Sequence, residues 1–145
     1  SKRMELNFNH PVKELIWIGT PKPYSGTGAA TNFESVSTPE SVSGNFKLVL
    51  NGHDRLEERD FKYFTRTQVH QHHIGFGGID NADSIAVYSF ALKPEEHQPS
   101  GTCNFSRIDN AELVLSSSGT IQNVYAVNYN VLRIMSGMAG IAYSN

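Results

Sequence analysis

Residues 121–135 have the sequence IQNVYAVNYNVLRIM, a long β-prone run. In an extended chain one face of this run would carry four apolar or aromatic side chains, Tyr125, Val127, Tyr129 and Val131. Such alternation is typical of a strand buried on one side. From residue 110 to residue 145, Glu112 and Arg133 are the only charged side chains. So few charges predict a C-terminal segment that is covered by protein.

The segments between the Gly and Pro residues are also short and β-prone. Their patterns predict further strands at residues 5–9, 13–19, 46–50, 85–92 and 111–115. Residues 20–44 are rich in Ser, Thr, Pro and Gly and predict one long loop. No segment has the pattern of a convincing amphipathic helix. The sequence therefore predicts an all-β chain with an antiparallel sandwich, barrel or jelly roll.

Composition limits the class of protein. The chain has 145 residues, with 12 basic and 14 acidic side chains and a formal net charge of −2. This length fits one domain, and the slight acidity argues against a nucleic-acid-binding module. The single cysteine, Cys103, excludes an intrachain disulfide. No apolar run approaches the roughly 18 residues that span a bilayer.

The strongest pattern for a metal site is His70-Gln71-His72-His73. On a strand, His70 and His72 would share one face and could bind a metal if further ligands converged. Cupins, which are jelly rolls, use such a His-x-His pair followed closely by a glutamate. Here the first carboxylate after the pair is Asp80, and Asn104 stands where the second cupin motif has its histidine. We therefore predict no metal, with His70 and His72 as the residues to examine.

No pattern indicates catalysis or cofactor binding. Adjacent Glu95 and Glu96 would point to opposite faces of a strand, so they do not form an acid/base pair. The chain has no Gly-x-Ser-x-Gly elbow, and Cys103 near His97 is not by itself a nucleophilic site. Residues 104–106, Asn-Phe-Ser, form a glycosylation sequon, so Asn104 is the candidate for modification.

Five stretches, taken together, resemble a known family. They are residues 7–17 (NFNHPVKELIW), 51–55 (NGHDR), 88–107 (YSFALKPEEHQPSGTCNFSR), 125–138 (YAVNYNVLRIMSGM) and 140–145 (GIAYSN). In this order they resemble the C-terminal part of the major capsid protein of nucleocytoplasmic large DNA viruses, such as phycodnaviruses, iridoviruses and mimiviruses. The resemblance covers nearly the whole chain.

The resemblance implies a double jelly-roll protein. Three copies would form a trimer, a pseudo-hexagonal capsomer that tiles an icosahedral shell around an internal membrane. Residues 1–145 would be a C-terminal jelly-roll domain holding only the later strands of the second jelly roll, with the long loop at about 20–44. The sandwich would then be incomplete, which agrees with a chain that does not start with methionine. The uncharged C-terminal run would lie inside the barrel or at the trimer seam.

The implied function is that of a structural virion protein with no enzymatic activity. It would reside in the capsid and assemble in the cytoplasm of the infected cell. Its partners would be other copies of itself, within and between capsomers, and minor capsid proteins. The inner viral membrane would lie nearby without being spanned, and nucleic acid would not be contacted.

Two alternatives stay open at this point. One is a cupin-like metal-binding jelly-roll enzyme, which would use the histidine cluster. The other is a carbohydrate-binding jelly-roll module, in which Trp17 and the tyrosines would stack on sugars. Because Trp17 lies in an apolar run, the sequence favours a core position for its side chain.

Overall fold

The computed structural model describes residues 1–19, 21–22, 38–39, 42–75, 83–116, 121 and 123–143. Its strands, in chain order, are β1 (Lys2–Glu5), β2 (Pro11–Ile18), β3 (Pro21–Lys22), β4 (Thr38–Pro39), β5 (Asn45–Leu50), β6 (His53–Asp54), β7 (Arg59–Asp60), β8 (Ile85–Ser89), β9 (Cys103–Asn104), β10 (Ala111–Leu115), β11 (Asn123–Asn128), β12 (Leu132–Met135) and β13 (Met138–Ile141). A π-helical turn, Tyr63–Thr67, continues into helix α1, Gln68–His72. A 3₁₀ turn spans Phe105–Arg107.

Two antiparallel sheets form the body of the fold. The first sheet has the order β1-β10-β5-β6, and β7 also pairs with β5. The second has the order β11-β2-β8, and β9 pairs with β2. Strands β12 and β13 form a separate hairpin, and β3 pairs with β4. The prediction of a mostly β, antiparallel chain is confirmed.

One apolar core joins the two sheets. The first sheet contributes Phe46, Leu48, Leu113 and Leu115, and the second contributes Leu15, Trp17, Ala86 and Tyr88. The rings of Trp17 and Phe46 lie 5.5 Å apart across the sandwich. Burying each large side chain stabilises the fold by roughly 1.5–3 kcal/mol. The buried position of Trp17, 1% exposed, removes it as a platform for sugars.

Four predicted strands are confirmed, and one is wrong. Residues 13–19, 46–50, 85–92 and 111–115 correspond to β2, β5, β8 and β10, although β8 already ends at Ser89. The strand predicted at residues 5–9 lies earlier, as β1. Its partner β10 begins at Ala111, which accepts the hydrogen bond from the N–H of Leu6 at 2.8 Å. After Leu6 the described residues show no further pairing with β10, and the chain crosses to the second sheet, where β2 begins at Pro11.

The helical segment at residues 61–72 was not predicted. Phe64 and Gln68, four residues apart, are its buried positions. Phe64 enters the core 5.1 Å from the ring of Trp17. The sequence of this segment shows no clear helical periodicity, because Thr65, Thr67 and other polar residues surround the one buried aromatic ring, that of Phe64. It covers the edge of β8, where the carbonyl oxygen of the Gln68 side chain accepts the N–H of Ser89 at 3.1 Å.

The C-terminal run also differs from its prediction. It forms β11 and β12 with an interruption between them, not one strand. In β11, Val124 and Ala126 pack against the core, whereas Tyr125 is exposed. The sequence predicted burial of the face that carries Tyr125, and this was the wrong face. Alternation shows that the two faces of a strand differ, but a shift of one residue in the pairing exchanges the buried face and the exposed face. The loop predicted at 20–44 lies outside the described residues, except for β3, β4 and residues 42–44.

Candidate interaction surfaces

The hairpin β12–β13 is an apolar element that lies outside the core. Ser136 and Gly137 form its turn, both with positive φ (51° and 77°), as a tight two-residue hairpin requires. Six large side chains of the hairpin and its end are more than half exposed, namely Leu132, Ile134, Met135, Met138, Ile141 and Tyr143. Arg133 is the one charged side chain here. The predicted burial of this segment inside the barrel is therefore wrong for this chain. A patch of this kind indicates an interaction surface.

Backbone and amide hydrogen bonds anchor the hairpin. The N–H of Tyr129 donates to the carbonyl of Pro11 at 2.9 Å, and the N–H of Ala142 donates to Val131 at 2.8 Å. The side-chain amide of Asn130 donates to the carbonyl of Tyr143 at 2.8 Å. These bonds hold the apolar side chains on a preformed element, which lowers the entropic cost of docking.

The register of the hairpin divides its side chains between two faces. Leu132 faces Ile141 and Ile134 faces Ala139 on the aliphatic face. On the other face Arg133 faces Gly140, and Met135 faces Met138. We call the second one the Arg–Met face. It combines one cation with two flexible thioether side chains, which adapt to irregular apolar surfaces.

A second candidate surface is the outer face of the sheet β11-β2-β8. Strand β2 contains a bulge where it pairs with β11. Val127 of β11 pairs with Glu14, but the next residue, Asn128, pairs with Val12, so Lys13 is the extra residue of β2. Because of this bulge, Val12 and Leu15 are both buried in the core while Glu14 faces outward. Bulges often redirect a single side chain in this way. Here the redirected side chain is a carboxylate.

Glu14 meets a histidine and a second carboxylate at this face. Nε2 of His73 lies 2.8 Å from Oε2 of Glu14, and Nδ1 lies 2.9 Å from Oε1 of Glu95. The N–H of Ile74 also donates to Oε1 of Glu95, at 3.1 Å. The hydrogen bond from His73 is the main reason that the pKa of Glu95 lies below its ordinary value. The cluster ties the end of α1 to β2 and to the segment that follows β8.

A groove runs beside this cluster, between the helical segment and the outer face of β2 and β8. Its volume is about 620 Å³. The apolar wall consists of Ile16, Val69, Ile74, Ile85 and Val87. Ile74 is 93% exposed, so the groove is open to solvent at that side. Apolar grooves with a few polar groups at the rim are the usual form of a binding site.

The rim of the groove is polar and carries an ion pair. Nη2 of Arg66 lies 2.7 Å from Oδ2 of Asp83, and the hydroxyl of Thr65 donates to Oδ1 of Asp83 at 2.7 Å. The hydrogen bond from Arg66 lowers the pKa of Asp83 below its ordinary value. Glu95 also lines the groove, so its described lining residues include two carboxylates, Asp83 and Glu95, beside Arg66 and two histidines, His70 and His73.

The predicted metal candidates do not converge. His70 and His72 lie on α1, not on a strand, and two residues along a helix point to nearly opposite sides. Nδ1 of His72 lies 3.0 Å from the carbonyl of Leu92, whereas His70 is exposed at the groove. Within the described ranges no group of three potential ligands could hold a metal ion. Glu14 and Glu95 contact opposite nitrogens of His73, so they do not converge either.

The remaining sequence candidates lie around β9. Asn104 is exposed, and its side-chain oxygen accepts the N–H of Ser106 at 3.1 Å, which starts the 3₁₀ turn. Its modification stays a prediction. Cys103 is half-buried, and burial raises the pKa of its thiol. Sequence reasoning missed Glu14 and Gln68; a charged residue inside the apolar run KELIWI was the available signal for Glu14.

Among the helices in the described part of the chain, none is long and apolar enough to cross a membrane.

Comparison with known proteins identifies the family. Residues 1–140 match the family described as large eukaryotic DNA virus major capsid protein. The chain belongs to the major capsid protein family of large eukaryotic DNA viruses. A major capsid protein of Pyramimonas orientalis virus is 46% identical over 166 aligned residues, which cover this whole chain and 39% of that protein. The capsid-protein chain thus spans less than half the length of this relative.

Solved structures agree with this family. The chain resembles PBCV-1 VP54, a double jelly-roll capsid protein, with a TM-score of 0.76 and 35% identity. The match covers 99% of this chain and 46% of that chain. A quasi-atomic model of the PBCV-1 virus capsid matches with a TM-score of 0.74 and 36% identity. The family is structural and not enzymatic, and its members are components of the virion.

Proposed function

We propose that this chain is a C-terminal jelly-roll segment, comprising the later strands of the second jelly roll, of a double jelly-roll major capsid protein. Three copies of that protein form a pseudo-hexagonal capsomer, and capsomers tile an icosahedral shell in the virion. The family match supports the capsid role, and the exposed hairpin β12–β13 is the observation that supports self-association. A soluble monomer rarely leaves so many large apolar side chains of one element in water.

The remaining partners follow from the same proposal. Capsomers contact one another and minor capsid proteins, and the protein lies near an inner viral membrane without crossing it. It makes no direct contact with nucleic acid, which agrees with the net charge of −2. Assembly takes place in the cytoplasm of the infected cell.

Native mass spectrometry of the protein from virions tests the proposal. We expect a trimer of chains heavier than 16.1 kDa. The double variant Ile134→Ser, Met138→Ser should lower the trimer fraction, because it removes exposed apolar area from both faces of the hairpin. Leu92→Ser is the matched control, since Leu92 is 72% exposed but lies outside the hairpin. A wild-type monomer under conditions that preserve other capsomers would contradict the proposal.

A further inference from the structure

We propose that the Arg–Met face of the hairpin docks into the groove beside β8 of a neighbouring copy of the same chain. This inference rests on the proposed function, because it names the contact by which capsid subunits associate. The docking side would consist of Arg133, Met135 and Met138. The receiving side would consist of the groove residues Ile16, Ile74 and Ile85.

The two surfaces lie toward opposite ends of the same strand. The hairpin is attached where Tyr129 bonds to Pro11, at the beginning of β2. The groove is lined by Ile16, near the end of β2, and by Ile85, which faces Ile18 in the ladder. Because the bulge at Lys13 removes one step, four strand steps separate Pro11 from Ile16, a distance of roughly 13 Å.

The hairpin does not fold back onto its own groove. All residues of β12 and β13 are exposed, so the hairpin makes no extensive contact with the part of its own sandwich that the structure describes. A protrusion at one end and a groove toward the other end form a head-to-tail contact between copies. Contacts of this type close into a ring when the rotation between copies fits, and three-fold closure gives a trimer.

The chemistry of the two surfaces is complementary. The groove presents aliphatic side chains, and two methionines adapt to such a surface better than rigid β-branched residues. Among the described residues at the groove and the adjoining cluster, the three carboxylates of Asp83, Glu95 and Glu14 are paired with Arg66 and His73, so one negative charge stays in excess even when both His73 nitrogens carry protons. Arg133, on the same hairpin face as both methionines, supplies a positive charge to this acidic rim. The aliphatic face of the hairpin offers no charge, which is why we assign docking to the Arg–Met face.

Photo-crosslinking in the full-length capsid protein tests this contact. A benzophenone amino acid replaces Met138, and light and heavy isotope-labelled protein are mixed before assembly and irradiation. We expect crosslinked peptide pairs that combine light and heavy protein and join position 138 to residues 66–74 or 83–87. The same probe at Ile134, on the opposite face of the hairpin, is the matched control and should not label these groove residues.

The variant Arg133→Glu provides a second readout, since it places a carboxylate against the acidic rim. We expect it to lower the trimer association constant about tenfold or more, and Arg133→Lys to retain most of it. Trimers without the predicted crosslinks would overturn this inference and leave the proposed function intact. Crosslinks within one copy, or to a segment outside residues 1–145, would also overturn it. Monomers throughout would overturn both.

Discussion

Nε2 of His73 lies 2.8 Å from Oε2 of Glu14, a carboxylate that is 6% exposed and projects from the outer face of β2. The bulge at Lys13 turns Glu14 toward this side, and the end of α1 brings the imidazole to it. The other ring nitrogen of His73 contacts Glu95. Because a carboxylate can only accept hydrogen bonds, His73 donates to Glu14 and to Glu95 at the same time when both of its ring nitrogens carry protons. The pair joins the helical segment to the sandwich.

Removing the imidazole should destabilise the fold. His73→Ala leaves the buried carboxylate of Glu14 without this donor, and an unsatisfied buried polar group costs about 1–3 kcal/mol. Urea unfolding followed by tryptophan fluorescence measures the loss. His70→Ala is the control, since His70 is an exposed residue of α1, the helix that ends just before His73, and it should change stability by less than about 0.5 kcal/mol. Equal losses in both variants would show that the Glu14 contact does not stabilise the fold.

Two carboxylates should make stability depend on acid pH. Hydrogen bonds from Arg66 and His73 lower the pKa of Asp83 and of Glu95, respectively. Groups with a lowered folded pKa stabilise the protein above their unfolded pKa values, about 3.9 for Asp and 4.3 for Glu. This stabilisation is lost as the pH falls through the lowered pKa values.

Thermal unfolding between pH 7 and pH 2 tests this dependence. Arg66→Gln should lower the Tm at neutral pH, and the difference from the wild type should shrink as Asp83 becomes protonated. Lys2→Gln, at an exposed position of β1 away from Asp83, is a control that should leave the pH profile unchanged. A constant difference for Arg66→Gln across the pH range would contradict the assignment.

Tyr129 should tolerate loss of its hydroxyl but not of its ring. The hydroxyl oxygen is buried and has no hydrogen-bond partner in the described part of the chain, while Nζ of Lys13 lies 5.3 Å from the ring centre. Tyr129→Phe should therefore leave the Tm unchanged or raise it. Tyr129→Ser should cost about 1–3 kcal/mol and lower the trimer yield, because the burial of the half-buried ring and its contact with Lys13 are lost. A phenylalanine variant as unstable as the serine variant would show that the hydroxyl contributes to stability.

Gly101 should not accept a side chain. Its φ is +151°, and a Cβ atom there would lie 2.5 Å from the carbonyl oxygen of Phe90. Gly101→Ala must therefore displace the backbone of the crossing between β8 and β9. Gly52→Ala is the control, since Gly52 also has a positive φ, +79°, but has open space around it. This variant should therefore lose only the backbone strain of a left-handed conformation, about 1–2 kcal/mol. Unfolding free energies should show the larger loss for Gly101→Ala; equal losses would mean that no clash occurs.

Substitutions of Asn104 should separate its structural role from modification. Its side-chain oxygen accepts the N–H of Ser106, so Asn104→Ala should cost about 0.5–2 kcal/mol, as for other caps. Asn104→Asp retains an acceptor and destroys the sequon, so it should keep the stability. The intact mass of protein from infected cells shows whether a glycan is attached. Equal stability of both variants would contradict the capping role.

The local sequence pattern was sufficient to predict those strands that pair with their neighbours in a simple antiparallel ladder. The apolar runs at β2, β5 and β10 specify extended, buried segments whatever their neighbours are, because alternate side chains must leave water. Asn51 and Gly52, with φ values of 50° and 79°, end β5 as a tight turn between paired strands requires. The family resemblance was likewise carried by ordered local motifs.

The interaction surfaces depend on information that no single segment contains. The helical position of His70 and His72 depends on Phe64 reaching the core and Gln68 covering the edge of β8, both long-range contacts. The bulge that turns Glu14 outward arises from pairing with β11, far away along the chain.

The sequence by itself determined that this chain is β-rich, nearly uncharged toward its C-terminus and a member of a capsid-protein family. Only the tertiary structure decided that the apolar C-terminal hairpin lies outside the sandwich and that the groove lies toward the opposite end of β2. The physical reason is that hydrophobicity requires an apolar side chain to leave water but does not specify its partner. Within one chain or between copies, the burial energy per unit of area is the same, and geometry alone distinguishes the two.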